Sequence, residues 1–207
     1  MNHSVIPTVF TDYGKWGDWG WMQKDPAWAH TLFVFNDNEE QFDAYRQGLD
    51  FGYAPGVGNA LARPWRKFNP PKSAGIPTGK NGSGYSVLDD ATKEKIDQAL
   101  TIVGILLRSF YYDRLVFSSD EDRSTLGIST YQVGDDVLQY IFNQLMQTPE
   151  EWQQFIDQRL RTKFGQLRHA IDNAKAIGLP TDSSNTVVQQ LLDEMRAILP
   201  FRGNQNV

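Results

Sequence analysis

Four short stretches of this 207-residue chain carry residue types suited to holding a phosphorylated sugar. Asn36-Asp37-Asn38 closes an apolar run, and Gly56-Val57-Gly58-Asn59 leads on to Arg63. Thr78-Gly79 ends the stretch AGIPTG, and Ser118-Ser119-Asp120 opens a polar segment that continues through Gly127, Ser129 and Thr130. Small residues let backbone N–H groups approach a phosphate, and hydroxyls can bond its oxygens. Asparagine or aspartate can read ribose hydroxyls or a base edge, and Arg63 would add charge. Each stretch also has a plain structural reading. A lone Gly-x-Gly is commonly a turn, Asp37 can cap a helix, and Arg63 before Pro64 can form a surface ion pair. What joins them is that several such stretches follow successive apolar runs.

For these stretches to act together, the elements ahead of them must be aligned. TLFVFND reads as a buried strand over residues 32–35, closed by the polar Asn36-Asp37-Asn38. EEQFDAYRQGL reads as a helix with Phe42 and Tyr45 three apart. NALARPW begins a helix that Pro64 should break, SAGIPTG is a short strand or strand end, and KNGSGYS is loop. The clearest helix is DDATKEKIDQALTIVGILLRSF: Ile96, Leu100, Val103 and Leu107 share a face, Asp89 or Asp90 caps it, and Gly104 costs propensity inside it. A second strand covers residues 115–117, and Val137, Ile141 and Leu145 line another helix. After Pro149, a long amphipathic helix runs to a stop at Gly178 and Pro180, followed by a final helix on Val188, Leu191, Leu192 and Met195. This order predicts an α/β layered fold with a mostly parallel sheet over residues 1–148 and a helical hairpin over residues 149–207. The hairpin either folds on the body or joins copies into a homo-oligomer; its sequence fits both.

Composition narrows the chemistry. A net charge of −5 and the lack of any long Lys/Arg block argue against a duplex nucleic-acid partner. There is no cysteine, and the three histidines, His3, His30 and His169, are far apart, so no metal site and no cofactor are expected. A G-x-S-x-G elbow is absent. The first residues lack the pattern of a signal peptide and no stretch is apolar enough to span a membrane, so a cytoplasmic location without a membrane partner is expected. Trp16, Trp19, Trp21 and Trp28 crowd one glycine-containing segment, which suits either an aromatic platform for a base or a rim packed over a sheet.

The runs LFVFNDN, GVGNALARP and AGIPTG resemble a small bacterial and phage family. Its members carry a strand ending in F-G-D-N, a glycine loop continuing into A-x-x-R, and a strand ending in I-P-T. That family is similar to macrodomains, which bind ADP-ribose and its relatives between glycine-rich loops on an α/β sheet. The resemblance spans roughly residues 31–145; Asn36 stands where the motif has glycine, and the macrodomain Asn-Ala-Ala-Asn run is absent. It implies a macrodomain-like or Rossmann-like layered sheet. Its ligand would be ADP-ribose, NAD or a derived nucleotide, lined by Asn36, Asp37, Asn59, Arg63 and Thr78, with residues 118–130 over the phosphates. A phage origin would further imply an anti-defence sponge in the host cytoplasm, sequestering an immune signalling nucleotide. Two alternatives stand beside this one. In the first, Asp37 or Asp120 serves as general base of an ADP-ribosyl or nucleotide hydrolase. In the second, the C-terminal helices of a structural protein bind a partner. The scarcity of nucleophiles and metal ligands favours binding over catalysis.

Overall fold

Every side chain of TLFVFND except that of Asn36 is buried, so the strand it forms is covered on both faces. A computed structural model describes residues 3–109, 111–127, 132–182 and 184–198. The strand is β2 (Thr31–Asp37), which lies inside a four-stranded sheet of order β1–β6–β2–β3. Its companions are β1 (Ser4–Thr8), β3 (Ser73–Pro77) and β6 (Arg114–Ser118). All three pairings are parallel, as an α/β layered fold requires.

β1 carries Pro7, a residue that breaks most strands, and is not among the elements expected above. Its place in the sheet explains why proline is tolerated. The Ser4 N–H donates to the Asp113 carbonyl, and the Thr8 carbonyl accepts from the Ser119 N–H, both at 2.8 Å. By alternation Pro7 faces away from β6 on the outer edge, where no ladder bond needs its N–H. The same missing donor makes the edge a poorer template for a foreign strand.

The two-residue period of β2 divides its side chains between two cores. Leu32 and Val34 join Leu115 and Phe117 on the face covered by α3 (Asp90–Leu107), α4 (Asp135–Leu145) and the first turns of α5 (Pro149–Ala176). Phe33 and Phe35 point the other way, with Val116, into a smaller core of Trp19, Met22, Ala60 and Ala62. Among the described residues, no long α-helix covers that face. The Trp-rich segment does so, with its short α1 (Trp19–Met22), together with a ten-residue 3-10 helix, Gly58–Lys67. This helix continues through Pro64 rather than ending there. Its three-residue turns bring Ala60, Arg63 and Arg66 onto one buried face, and packing there outweighs the single hydrogen bond that proline forgoes.

Smaller elements follow local rules. Asn38 caps α2 (Glu39–Arg46), its side-chain oxygen accepting from the Gln41 N–H at 2.9 Å. KNGSGYS, expected as loop, forms with the preceding Gly79 a minimal hairpin of β4 (Gly79–Lys80) and β5 (Ser83–Gly84). Asn81 and Gly82 turn it at φ of 51° and 76°, the backbone that an Asn-Gly pair favours. Thr148 and Glu151 form a reciprocal capping box at the start of α5, with Pro149 in its first turn. The last helix, α6 (Thr186–Ile198), returns along α5. Among the described residues, no helix is long and apolar enough to cross a membrane.

The seam between α3 and α5 ties the long helix to the body. Trp152 and Ile156 belong to the main core, so α5 starts inside the body that the preceding residues build. Around them Arg108 pairs with Asp157 at 2.7 Å, and Arg159 grips the Glu94 carboxylate with bonds of 2.7 and 2.9 Å. Burial raises the Glu94 pKa, but hydrogen bonds and charge from Arg159, with help from Gln98 and Lys163, bring it down to about 2 from an ordinary 4.5. The folded chain therefore holds fewer protons here than the unfolded chain. The contribution is full above about pH 4.5 and fades as pH falls toward 2. Arg159→Met is expected to lower the urea midpoint at neutral pH, and its deficit against the parent should shrink across that acidic window. A deficit independent of pH would refute the assignment.

Candidate functional site

All four strands of the sheet point the same way, so the polar segments that follow them emerge at one edge. The chain leaving β1 crosses to the face of the Trp-rich core, whereas the chain leaving β6 leads to α4 on the opposite face. The crevice between two such divergent connections is where open α/β sheets take ligands.

Three distant segments meet at this edge. The Asn36 backbone N–H donates to Asn59 Oδ1 at 3.2 Å, and Asn36 Nδ2 donates to the Gly127 carbonyl at 3.0 Å. The Gly127 N–H in turn donates to the Ser118 carbonyl at 3.0 Å, closing the segment after β6 onto its own strand. Ser119 is pinned to β1 through its N–H, which donates to the Thr8 carbonyl at 2.8 Å. Asn36, Asn59, Ser118 and Gly127 thus form a half-buried rim.

Beneath the rim, alternation turns Asp37 to the same face as Phe33 and Phe35. Its carboxylate is fully out of solvent. Oδ1 accepts from Arg63 Nε at 2.9 Å with Arg63 Nη2 at the same distance in the ion pair, and Oδ2 accepts from Arg66 Nη2 at 2.5 Å. Arg63 Nη1 also donates to the Ala54 carbonyl at 2.8 Å, and Arg66 Nη1 donates to the Gly52 carbonyl at 3.1 Å. The Arg66 guanidinium carbon lies 4.7 Å from the Phe35 ring centre and 4.3 Å from that of Tyr45. Burial lowers the Arg66 pKa, opposed chiefly by the Asp37 charge, and burial raises that of Tyr45. Gly75 of β3 leaves the space this cluster fills: a Cβ there would stand 2.1 Å from Arg66 Nη2 and 2.6 Å from Asp37 Oδ2. Two guanidiniums and one carboxylate leave a net single positive charge below the edge of the sheet.

This arrangement changes the roles expected of several residues. Arg63 and Asp37 lie under the rim and are committed to one another, because a carboxylate removed from water keeps its counter-charges close. With no exposed surface, the Asp37 carboxylate is not positioned to take a proton from water. Gly56 gives its N–H to the Ala60 carbonyl at 3.1 Å, and a Cβ on it would come within 2.7 Å of Ala60 Cβ and 3.0 Å of Arg63 Nη1. The glycine there is accounted for by packing. Gly58 is exposed and starts the 3-10 helix at φ +59°, a backbone few other residues adopt. Asn38 is used as the cap of α2. Thr78 is buried, donating to the Asp37 carbonyl from its N–H at 3.0 Å and from its hydroxyl at 3.3 Å, and Gly79 enters β4. Asp120 folds its own turn by accepting from the N–H groups of Ser124 at 2.7 Å and Thr125 at 3.0 Å. The Thr125 N–H bond is the main reason its carboxyl pKa is lowered. Ser129 and Thr130 lie outside the described residues.

Arg66, Tyr45 and Thr8 matter to the edge although no motif singled them out. The spacing Ala60-x-x-Arg63-x-x-Arg66 held the clue for the arginines. A period of three around a proline fits a 3-10 helix with one buried face, whereas the same letters on an α-helix would drift apart. Among the described residues, no group of three His, Asp or Glu side chains is placed to hold a metal ion.

Compared with known proteins, the chain matches no family model, no curated protein and no solved structure. The fold and the site therefore define the class: an α/β layered protein with a parallel central sheet whose carboxyl edge gathers a polar rim.

Proposed function

We propose that the chain binds a nucleotide of the ADP-ribose or NAD-derived kind at the carboxyl edge of its sheet and holds it without turnover. The observation that carries this reading is the double link of Asn36 to Asn59 and Gly127, which brings three polar segments together where parallel sheets take ligands. The surplus positive charge of the Arg63–Asp37–Arg66 cluster favours an anion above it. Binding is favoured over hydrolysis because Asp37 is enclosed and Asp120 is engaged with its own turn. Retention without turnover is all that a phage protein sequestering an immune nucleotide would need.

Calorimetric titration with ADP-ribose, NAD and cyclic nucleotides tests the proposal. At least one is expected to bind one-to-one and to be recovered intact. Asn36→Ala or Asn59→Ala should weaken it about tenfold or more, the scale of one hydrogen bond at a rim. Absence of heat and of thermal shift with all of them would discard the reading.

A further inference from the structure

We infer that the Trp-rich segment after β1 is a platform on which the base of the bound nucleotide stacks; this rests on the nucleotide reading above. The segment leaves β1 at Thr8, on the β1 side of the crevice, and presents large rings to water. Tyr13 is 82% exposed, Phe10 54%, and Trp16 and Trp21 41% each. Yet it is built firmly. The Trp19 ring is buried 5.5 Å from that of Phe33, and its Nε1 donates to Thr8 Oγ at 2.9 Å. The Asp18 carboxylate accepts from the Gly14 N–H at 2.8 Å and the Gly20 N–H at 3.0 Å. Phe10 and Tyr13 are held edge to face, ring centres 5.2 Å apart. Ordered aromatic side chains clustered in water at a ligand edge mark a contact surface, and their exposed faces suit a flat partner.

Position and polarity together select a base. In the strand order β1–β6–β2, Phe10 follows β1 and Asn36 lies in the last residues of β2, strands two places and about 10 Å apart at the usual spacing. A nucleotide with its ribose or phosphate at the Asn36 rim would carry its base across the end of β6 to Phe10 and Tyr13. A sugar ring lying on the same aromatics would need side chains beside them to bond its hydroxyls. Of the carboxylates at hand, Asp18 is engaged by backbone N–H groups, and Asp12 accepts from the Tyr13 N–H at 2.9 Å and pairs with Lys15 at 3.6 Å.

The test uses the full chain, with ADP-ribose and ribose 5-phosphate as probes, and compares the parent with the double variant Phe10→Ala/Tyr13→Ala. Both residues are exposed, and an unchanged thermal midpoint confirms that the variant is folded. The expected result is a loss of about tenfold or more in ADP-ribose affinity, the effect of removing a stacking partner. Ribose 5-phosphate affinity should be unchanged, and only ADP-ribose should quench the tryptophan emission of the parent. If ADP-ribose binds the double variant as tightly as the parent, while Asn36→Ala still weakens it, the platform is refuted and the site stands. An equal loss for both probes would mean sugar stacking and overturn base recognition. A parent chain that binds neither probe overturns the platform, and one that also gives no heat with NAD or cyclic nucleotides ends both proposals.

Discussion

Replacing Asp37 with alanine is expected to destabilise the chain by about 3–5 kcal/mol, the usual cost of deleting one member of a buried ion pair. Nearly all of that cost lies in what is left behind. Arg63 and Arg66 have side chains 6% and 0% exposed, so neither guanidinium can turn to water once the carboxylate is gone. A urea titration at neutral pH should show the midpoint falling with little change in slope. If uncompensated charge is the cause, Asp37→Ala/Arg66→Met should be less destabilised than Asp37→Ala alone, because the second change removes a cation that has lost its partner. A single variant within 1 kcal/mol of the parent would show that this cluster does not hold β2 to the 3-10 helix. The same cluster fixes the segment carrying Asn59, so Asp37→Ala should also lose any ligand bound at the rim.

Trp152→Ala should produce a loss of similar size, about 3–5 kcal/mol, for a different reason. Trp152 is completely buried at the foot of α5, where α3 leaves room beside Gly104: a Cβ there would lie 3.0 Å from Trp152 Cε3 and 2.0 Å from Ile156 Cδ1. Removing the indole opens a cavity between two helices whose backbones cannot close on it. Its Nε1 is buried without a hydrogen-bond partner among the described residues. Trp152→Phe, which keeps most of the apolar surface and deletes that N–H, should therefore cost much less than alanine. Thermal midpoints of the two variants check the order. Equal losses would mean that the ring's bulk is not what anchors α5.

The helical half of the molecule was legible because helices report their packing locally. Ile96, Leu100, Val103 and Leu107 recur at the spacing of one buried face, and all four are in the main core. Asp89 caps that helix through the Thr92 N–H at 2.7 Å, and Pro149 with Glu151 marks the start of α5. The apolar run of β2 likewise announced a strand covered on both faces. β1 was not legible. Its exposed and half-buried pattern is that of an edge, and its proline has meaning only once β6 is known to lie on one side of it.

What the amino-acid order determined by itself was the kind of layer each segment can join, and which segments end in small or polar residues. Whether those ends meet was decided only in three dimensions. Asn36 reaches partners 23 and 91 residues away, and Asp37 closes on arginines 26 and 29 residues downstream. One-residue alternation along β2 sends the first toward the rim and the second beneath it. Two neighbours of almost the same chemistry therefore receive opposite roles. Strand order and burial set that outcome, because an amide can stay half in water while an enclosed carboxylate must keep its cations.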